Sequence, residues 1–287
     1  MGNKKYAVLS MDIEDWYHLD YFSGKNLDKS YSMLDGLTNY IDLLNKYDIK
    51  TTFFTLSELT DIAKEEILYA AKCGHEIACH GKTHIRPILL DVDTFSRDIA
   101  EAKEILSELT GKEVVGYRAP CYSIDRQRYD AVIRAGFKYS SSKIAFNEHP
   151  LYGKLDIDDY EQPMKGIYSK DGFYEFELST KKFIGRNIPV SGGGYIRILP
   201  WLFMQPMIKG YLKNAEVYVL YIHPFELSNK KMLTIGRTSF LTNVRARKGL
   251  GKVEEKIEQL IDMLKSNSFE IKTFSQVIND LEKRLEK

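Results

Sequence analysis

The run Met11-Asp12-Ile13-Glu14-Asp15 places three carboxylates within four residues at the end of an apolar stretch. Carboxylates crowded behind a strand repel one another unless a cation or a proton neutralises them, and in an extended chain Asp12 and Glu14 share a side. Taken alone, the run also reads as a solvated acidic loop. Further on, His75-Glu76-Ile77-Ala78-Cys79-His80-Gly81-Lys82-Thr83-His84 holds three of the six histidines within ten residues. His80 and His84, at i and i+4, converge on one metal if the chain turns helically after a strand. Two imidazoles and one carboxylate, leaving positions open, make the ligand set of a catalytic rather than a structural metal. Gly116-Tyr117-Arg118-Ala119-Pro120-Cys121 puts an arginine past a strand and ahead of a rigid proline. Tyr221-Ile222-His223-Pro224-Phe225-Glu226 puts a histidine at the end of another strand. Each of these two has an ordinary structural explanation, a surface ion pair for the arginine and a satisfied core group for the histidine.

Placing such groups together requires a scaffold, and the hydrophobic pattern supplies one. Strands are expected at Tyr6–Met11, Thr51–Thr55, His75–Cys79, Val114–Tyr117, Phe137–Ser140, Val217–Ile222 and Phe269–Lys272. Helices are expected at Leu34–Tyr47, Asp61–Lys72, Asp93–Leu109, Asp125–Ala135, Val253–Lys265 and Thr273–Glu286. Between about 144 and 200 the rhythm breaks into a Tyr-, Gly- and Pro-punctuated stretch, read as an elaborated loop region with β-hairpins. Sustained strand–helix alternation predicts an α/β fold with a parallel sheet, open or closed into a barrel, in one domain spanning 1–287. All four motifs then fall at the C-terminal ends of strands, the edge where such sheets carry their active sites.

Composition narrows the rest. The 287 residues are 44% apolar and 28% charged, with a net charge of +1. That is ordinary globular chemistry, with no global field toward nucleic acid and no basic stripe read from the sequence. Cys73, Cys79 and Cys121 are too few and too scattered for a disulfide framework, which suits a reducing compartment. The first residues lack the apolar core of a signal peptide, and no window approaches 18 uninterrupted apolar residues. A soluble, cytoplasmic protein is expected, touching a lipid-linked substrate by peripheral contact alone.

The order and spacing of these motifs resemble the polysaccharide deacetylases, the carbohydrate esterase 4-type family with the NodB-homology fold. The nearest branch carries a D-x-E-D-W first motif and is associated with surface-polysaccharide and exopolysaccharide synthesis. The matching stretches are Ser10–His18, Gly74–His84, Gly116–Ile124, Pro189–Arg197 and His223–Glu226. The resemblance implies a distorted (β/α) barrel of about seven strands and a divalent metal, Zn²⁺ by default. Asp12 matches the catalytic base, Arg118 the arginine that braces it, His80 and His84 the metal histidines, and His223 the general acid. The family's second aspartate is Ile13 here, so Glu14 is taken as the metal carboxylate, with Asp15 as the alternative. Cys121 stands where the family supplies a backbone N–H to the oxyanion. Ser140 replaces the aspartate that tunes the acid histidine, and Glu226 substitutes only if the turn after Pro224 folds it back.

The implied reaction removes N-acetyl groups from an amino sugar of a surface glycan or its precursor. The alternatives are hydrolysis of a small cyclic or linear amide, as in allantoinase-like relatives, and glycan binding without catalysis. Gly192-Gly193-Gly194 permits close approach of a ligand to the backbone. Trp16, Tyr17, Tyr122, Tyr195 and Trp201 are candidates to stack on sugar faces or, equally, to pack the core, and Arg197 to meet a phosphate or carboxylate.

Overall fold

In the computed structural model, residues 4–146, 151–236 and 238–285 are described. Every strand and helix expected from the pattern is present, apart from Glu286 at the end of the last helix, which lies outside the described residues. The first half alternates regularly: β1 (Lys5–Ile13), α1 (Asp35–Lys46), β2 (Thr52–Thr55), α2 (Lys64–Lys72), β3 (Glu76–Cys79), α3 (Val92–Thr110), β4 (Gly116–Tyr117), α4 (Arg126–Arg134) and β5 (Tyr139–Ser140). The loop region then supplies β6 (Glu161–Met164), β7 (Ile167–Lys170), β8 (Phe173–Phe176), β9 (Thr180–Phe183) and β10 (Arg186–Pro189). After it come α5 (Gly193–Ile198), α6 (Trp201–Leu212), β11 (Val217–Ile222), α7 (Phe240–Arg247), α8 (Val253–Ser266), β12 (Phe269–Ile271) and α9 (Phe274–Leu285).

Seven strands run parallel side by side in the order β11-β1-β2-β3-β4-β5-β8, six of them expected from the pattern and β8 supplied by the loop region, while the expected strand at Phe269 pairs with β1 off this path. The sheet goes further than predicted, because antiparallel β7 and β6 extend it beyond β8, while β9 and β10 form a separate hairpin. β1 is the hub. Tyr6–Met11 pair with Val217–Ile222 on one side; on the other, Lys5–Ala7 pair with β12 and Met11–Ile13 with β2. Beyond β11, Ser179 and Ser191 continue the hydrogen bonding, since Val219 N–H donates to Ser179 Oγ and Tyr221 N–H to the Ser191 carbonyl.

Parallel strands covered on both faces need apolar residues on both, and β1 shows how the two faces divide. Ala7, Leu9, Met11 and Ile13 pack outward against a shell of helices, with Leu37, Ile41, Ile67 and Ile257 among their neighbours. Tyr6 and Val8 point inward to Phe54, Tyr139, Val219 and Phe274. Continuing inward at period two come Ser10 and Asp12. The interior therefore turns from apolar to polar toward the C-terminal rim, where Asp12 ends the row. Among the described residues no helix is long and apolar enough to cross a membrane.

Candidate active site

At that rim, a cavity of about 110 Å³ is lined by Asp12, Glu14, His80, His84, Cys121, Tyr122, Tyr221 and His223, with Asp20, Tyr21 and Tyr152 at its edge. Asp12 is delivered by the strand period. Its Oδ1 accepts from Arg118 Nη1 at 2.6 Å, and the guanidinium is spent inside the protein. Nη1 also donates to Ser10 Oγ, Nε to the Ser141 carbonyl and Nη2 to Ser141 Oγ, while the plane stacks 4.0 Å from the Phe54 ring centre. Arg118 is buried and reaches the cavity only through Asp12, which it holds in one orientation.

Glu14 leaves β1 in a tight turn, its N–H donating to the Asp12 carbonyl, and this turn aims the carboxylate at the two histidines. Glu14, His80 and His84 present ligand atoms all within 4.8 Å of one another. The convergence of the histidines does not come from a helical turn. The chain bends at Gly81, φ +97°, and His84 returns on an irregular loop. His80 Nδ1 donates to the Arg118 carbonyl at 2.8 Å, which fixes the tautomer and leaves the Nε2 lone pair for a ligand. Burial pushes His80 down to about 4, so the imidazole is neutral near pH 7. Burial opposes the charge on Glu14, but His84 and His223 outweigh it and hold the carboxyl well below its usual range. Glu14 Oε2 lies 2.7 Å from His84 Nε2 yet completes no hydrogen bond in that direction, and it is buried from solvent. Two donor atoms so close and so misaligned fit a shared cation. Asp15, the alternative ligand, does not join the converging group, and its Oδ1 caps the following turn, accepting from Trp16 N–H and Met33 N–H.

His223 sits opposite, at the end of β11. Its Nε2 is 3.1 Å from Glu14 Oε1 and its Nδ1 3.2 Å from Glu226 Oε2. Pro224 starts a single turn that folds Glu226 back, and the same Oε2 also accepts the His223 N–H at 3.1 Å. Burial disfavours the imidazolium, but Glu14 and Glu226 prevail and push His223 up to about 9. Glu226, not a residue at position 140, is thus the carboxylate that meets His223 Nδ1. Ser140 itself donates to Ser142 Oγ within a separate buried network around Glu175. Glu226 is anchored in turn by Arg197 Nε at 2.9 Å.

Arg197 is therefore corrected from substrate ligand to positioning residue. Its Nη1 donates to the carbonyls of Arg245, Ala246 and Lys248, and the carboxylate it meets is the protein's own. The glycine run is corrected in the same way. A Cβ on Gly193 would run into Glu226 Oε2, and Gly192 abuts the Tyr221 ring, so internal groups demand the small residue at these two positions, whereas Gly194 has open space around it and lines the cavity that adjoins the first. Tyr195 lines an adjoining cavity of about 280 Å³ that shares Tyr21, Tyr152, Tyr221 and His223 with the first. Of the other aromatics, Tyr122 lines the first cavity, whereas Trp16 is core, its Nε1 donating to the Tyr31 carbonyl, and Trp201 is held by Gln259. Cys121 faces the cavity with φ +54°, a left-handed backbone of the kind that clusters at functional sites, and its thiol contacts Asp20. His75 is absent from the site. It lies before β3, at the opposite end of the strand from His80, where its Nδ1 accepts the Thr51 N–H. Tyr221 was legible as the inward residue two before His223; Asp20 and Tyr152 gave no periodic signal.

Residues 27–140 match the family model described as polysaccharide deacetylase, and residues 141–279 a domain of unknown function, DUF3473. The chain carries a polysaccharide deacetylase domain. A peptidoglycan deacetylase from Helicobacter pylori is 22% identical over 87% of this chain and 84% of that one. A solved chain from Mycobacterium smegmatis assigned to the polysaccharide deacetylases superposes with a TM-score of 0.65 at 18% identity, covering 99% of this chain and 92% of that one. A carbohydrate esterase family 4 pseudoenzyme from Bacillus anthracis superposes at 0.55 with 12% identity, over 97% and 66% of the two chains. These likenesses show the distorted barrel. The polysaccharide deacetylase model begins after Asp12 and Glu14 and ends before His223, so the constellation joins His80, His84, Arg118 and Cys121 from inside the matched segment to residues outside it.

Proposed function

We propose that this chain is a divalent-metal-dependent N-deacetylase. In this reading it acts on an N-acetylated amino sugar of a surface polysaccharide or its precursor, at the cytoplasmic stage. The observation that carries the reading is the meeting, in one cavity, of a braced carboxylate, a three-residue ligand set and a histidine held between two carboxylates. The donor set of one carboxylate and two imidazoles suits Zn²⁺. A cation held by Glu14, His80 and His84 supplies Lewis acidity, polarising a carbonyl oxygen and acidifying water. Asp12, fixed by Arg118, takes the proton of the attacking water. The Cys121 N–H supports the oxyanion. His223 gives its proton to the sugar nitrogen as the C–N bond breaks, leaving acetate and a free amine. Glu226 keeps His223 protonated until that step.

The adjoining cavity favours a glycan over a small amide, since a small amide would leave Tyr195 and its neighbours unused. The three cysteines are free thiols, which suits the cytoplasmic assignment. The test is acetate release from nucleotide-linked and lipid-linked N-acetyl sugars before and after chelation and Zn²⁺ restoration. Release that needs the metal and vanishes in Asp12→Asn is expected. Metal-independent release, or none from any sugar with metal bound, overturns the reading.

A further inference from the structure

The net charge of +1 conceals a strong division along the chain. Residues 181–252 hold thirteen Lys and Arg against two acids, Glu216 and Glu226, and Glu226 is neutralised by Arg197. The charges are spread too thinly to form a run, which is why no basic stripe is visible in the sequence, and the fold gathers them. Lys182 on the β9–β10 hairpin, Lys209 and Lys213 at the end of α6, and Arg245, Arg247 and Lys248 at the end of α7 are exposed. None of these six pairs with a carboxylate among the described residues.

The same segment exposes its largest apolar side chains. Leu202 is 88% exposed, Ile184 85%, Phe240 81% and Leu241 77%. They belong to elements that touch. The Phe183 and Phe203 rings meet edge-on at 5.8 Å, and Lys181 Nζ reaches the Met207 carbonyl, so the hairpin tip lies on α6. α7 is tied to the α5–α6 junction by Arg197. That junction, through Ile198 and Leu199, and α7, through Arg245, are also walls of the larger cavity. Cations interleaved with protruding aliphatic and aromatic tips form the pattern of an interfacial surface, in which the tips enter the headgroup boundary and the cations meet anionic lipid.

We infer that the face formed by the β9–β10 tip, the exposed side of α6 that carries Leu202 and Lys209, and α7 docks on an anionic lipid bilayer, bringing the larger cavity beside the membrane surface. A neutral partner surface would leave the cations unused, and a purely polyanionic one would leave Leu202, Ile184 and Phe240 in water. The inference does not depend on the reaction chemistry, and its test requires no turnover.

The experiment is flotation of the full chain with vesicles of phosphatidylcholine alone or with about a third phosphatidylglycerol, at low and high salt. Recovery is expected with the anionic vesicles only, falling as salt rises. Lys182→Gln with Lys209→Gln should lower the partition coefficient about fivefold per cation removed. Leu202→Ser with Leu241→Ser should lower it at least tenfold at unchanged charge. All four positions are exposed, and an unchanged circular dichroism spectrum confirms folding. Equal recovery with both vesicles, or none with either, overturns the inference. So does self-association that Leu202→Ser with Leu241→Ser abolishes without any flotation, which assigns the face to a second copy. Retention on an immobilised polyuronate without flotation overturns it in favour of a soluble anionic glycan.

Discussion

The two halves of this chain build their parts of the site in different ways. Up to Ser140, the functional side chains sit at or just past the ends of regular strands: Asp12 and Glu14 at the end of β1, His80 after β3 with His84 on the loop that follows, Arg118 after β4. Beyond Ser140 only His223 does so, and it works through a relay, from the carbonyls of residues 245–248 to Arg197, to Glu226, to the imidazole. The first half places ligands by backbone geometry. The second tunes one acid through side chains that must be buried, paired and given room. Substitutions should therefore separate the halves by what they change: metal content in the first, pH dependence in the second.

The largest effect is expected from the ligand set. His80→Ala or Glu14→Gln should reduce bound metal, measured by elemental analysis, from near one per chain to near zero, with deacetylation becoming undetectable. Retention of metal in Glu14→Gln would break the comparison at its first half. Next, His223→Ala should lower kcat by roughly 10²–10⁴, the usual worth of acid–base catalysis, with metal content unchanged. An intact alkaline limb in the kcat–pH profile of that variant would show that another group donates the proton.

Smaller and more diagnostic are the changes that leave His223 in place. Glu226 raises the pKa of the imidazolium, and the acid is active only below that pKa. In Glu226→Gln the alkaline limb should shift to lower pH, so activity is lost first at the basic end. Gly193→Ala, which pushes a methyl group against Glu226, should move the limb the same way and cost about 1–3 kcal/mol of stability in denaturant unfolding. A Gly193→Ala profile identical to wild type would sever the glycine run from the acid. The smallest effect on turnover belongs to His75→Ala. It removes the acceptor of the Thr51 N–H and should cost about 1–3 kcal/mol of stability while leaving kcat unchanged.

The same division explains what was legible in the sequence. Period two along β1 and the strand ends made the fold and the positions of Asp12, Glu14 and His80 legible, because those depend on local repeats, while the role of base came from the resemblance alone. Six of the seven wall strands were legible too, whereas β8, with the rest of β6 to β10, was visible only as a punctuated stretch, since in that stretch strands of four residues carry too little alternation to count. Arg197 was misread because an arginine beside a glycine run looks like an anion site. Its partner Glu226 is 29 residues away, and no spacing rule connects them. Gly81 shows the converse: the pairing of His80 with His84 was read from a helical spacing, yet a left-handed bend achieves it.

The hub position of β1 has a consequence for how the chain must be made. β2 covers only Met11–Ile13, while Lys5 to Ser10 find their lateral partners in β11 and β12, more than two hundred residues later. Contacts of such sequence separation form late, after their entropic cost has been met by the rest of the sheet. During synthesis, the strand that bears Asp12 therefore keeps an open edge rich in Tyr, Val and Leu until the last quarter of the protein has emerged. An unpaired apolar edge of that kind is a template for misassociation, so the newborn chain needs shelter at its N-terminus for most of its time on the ribosome.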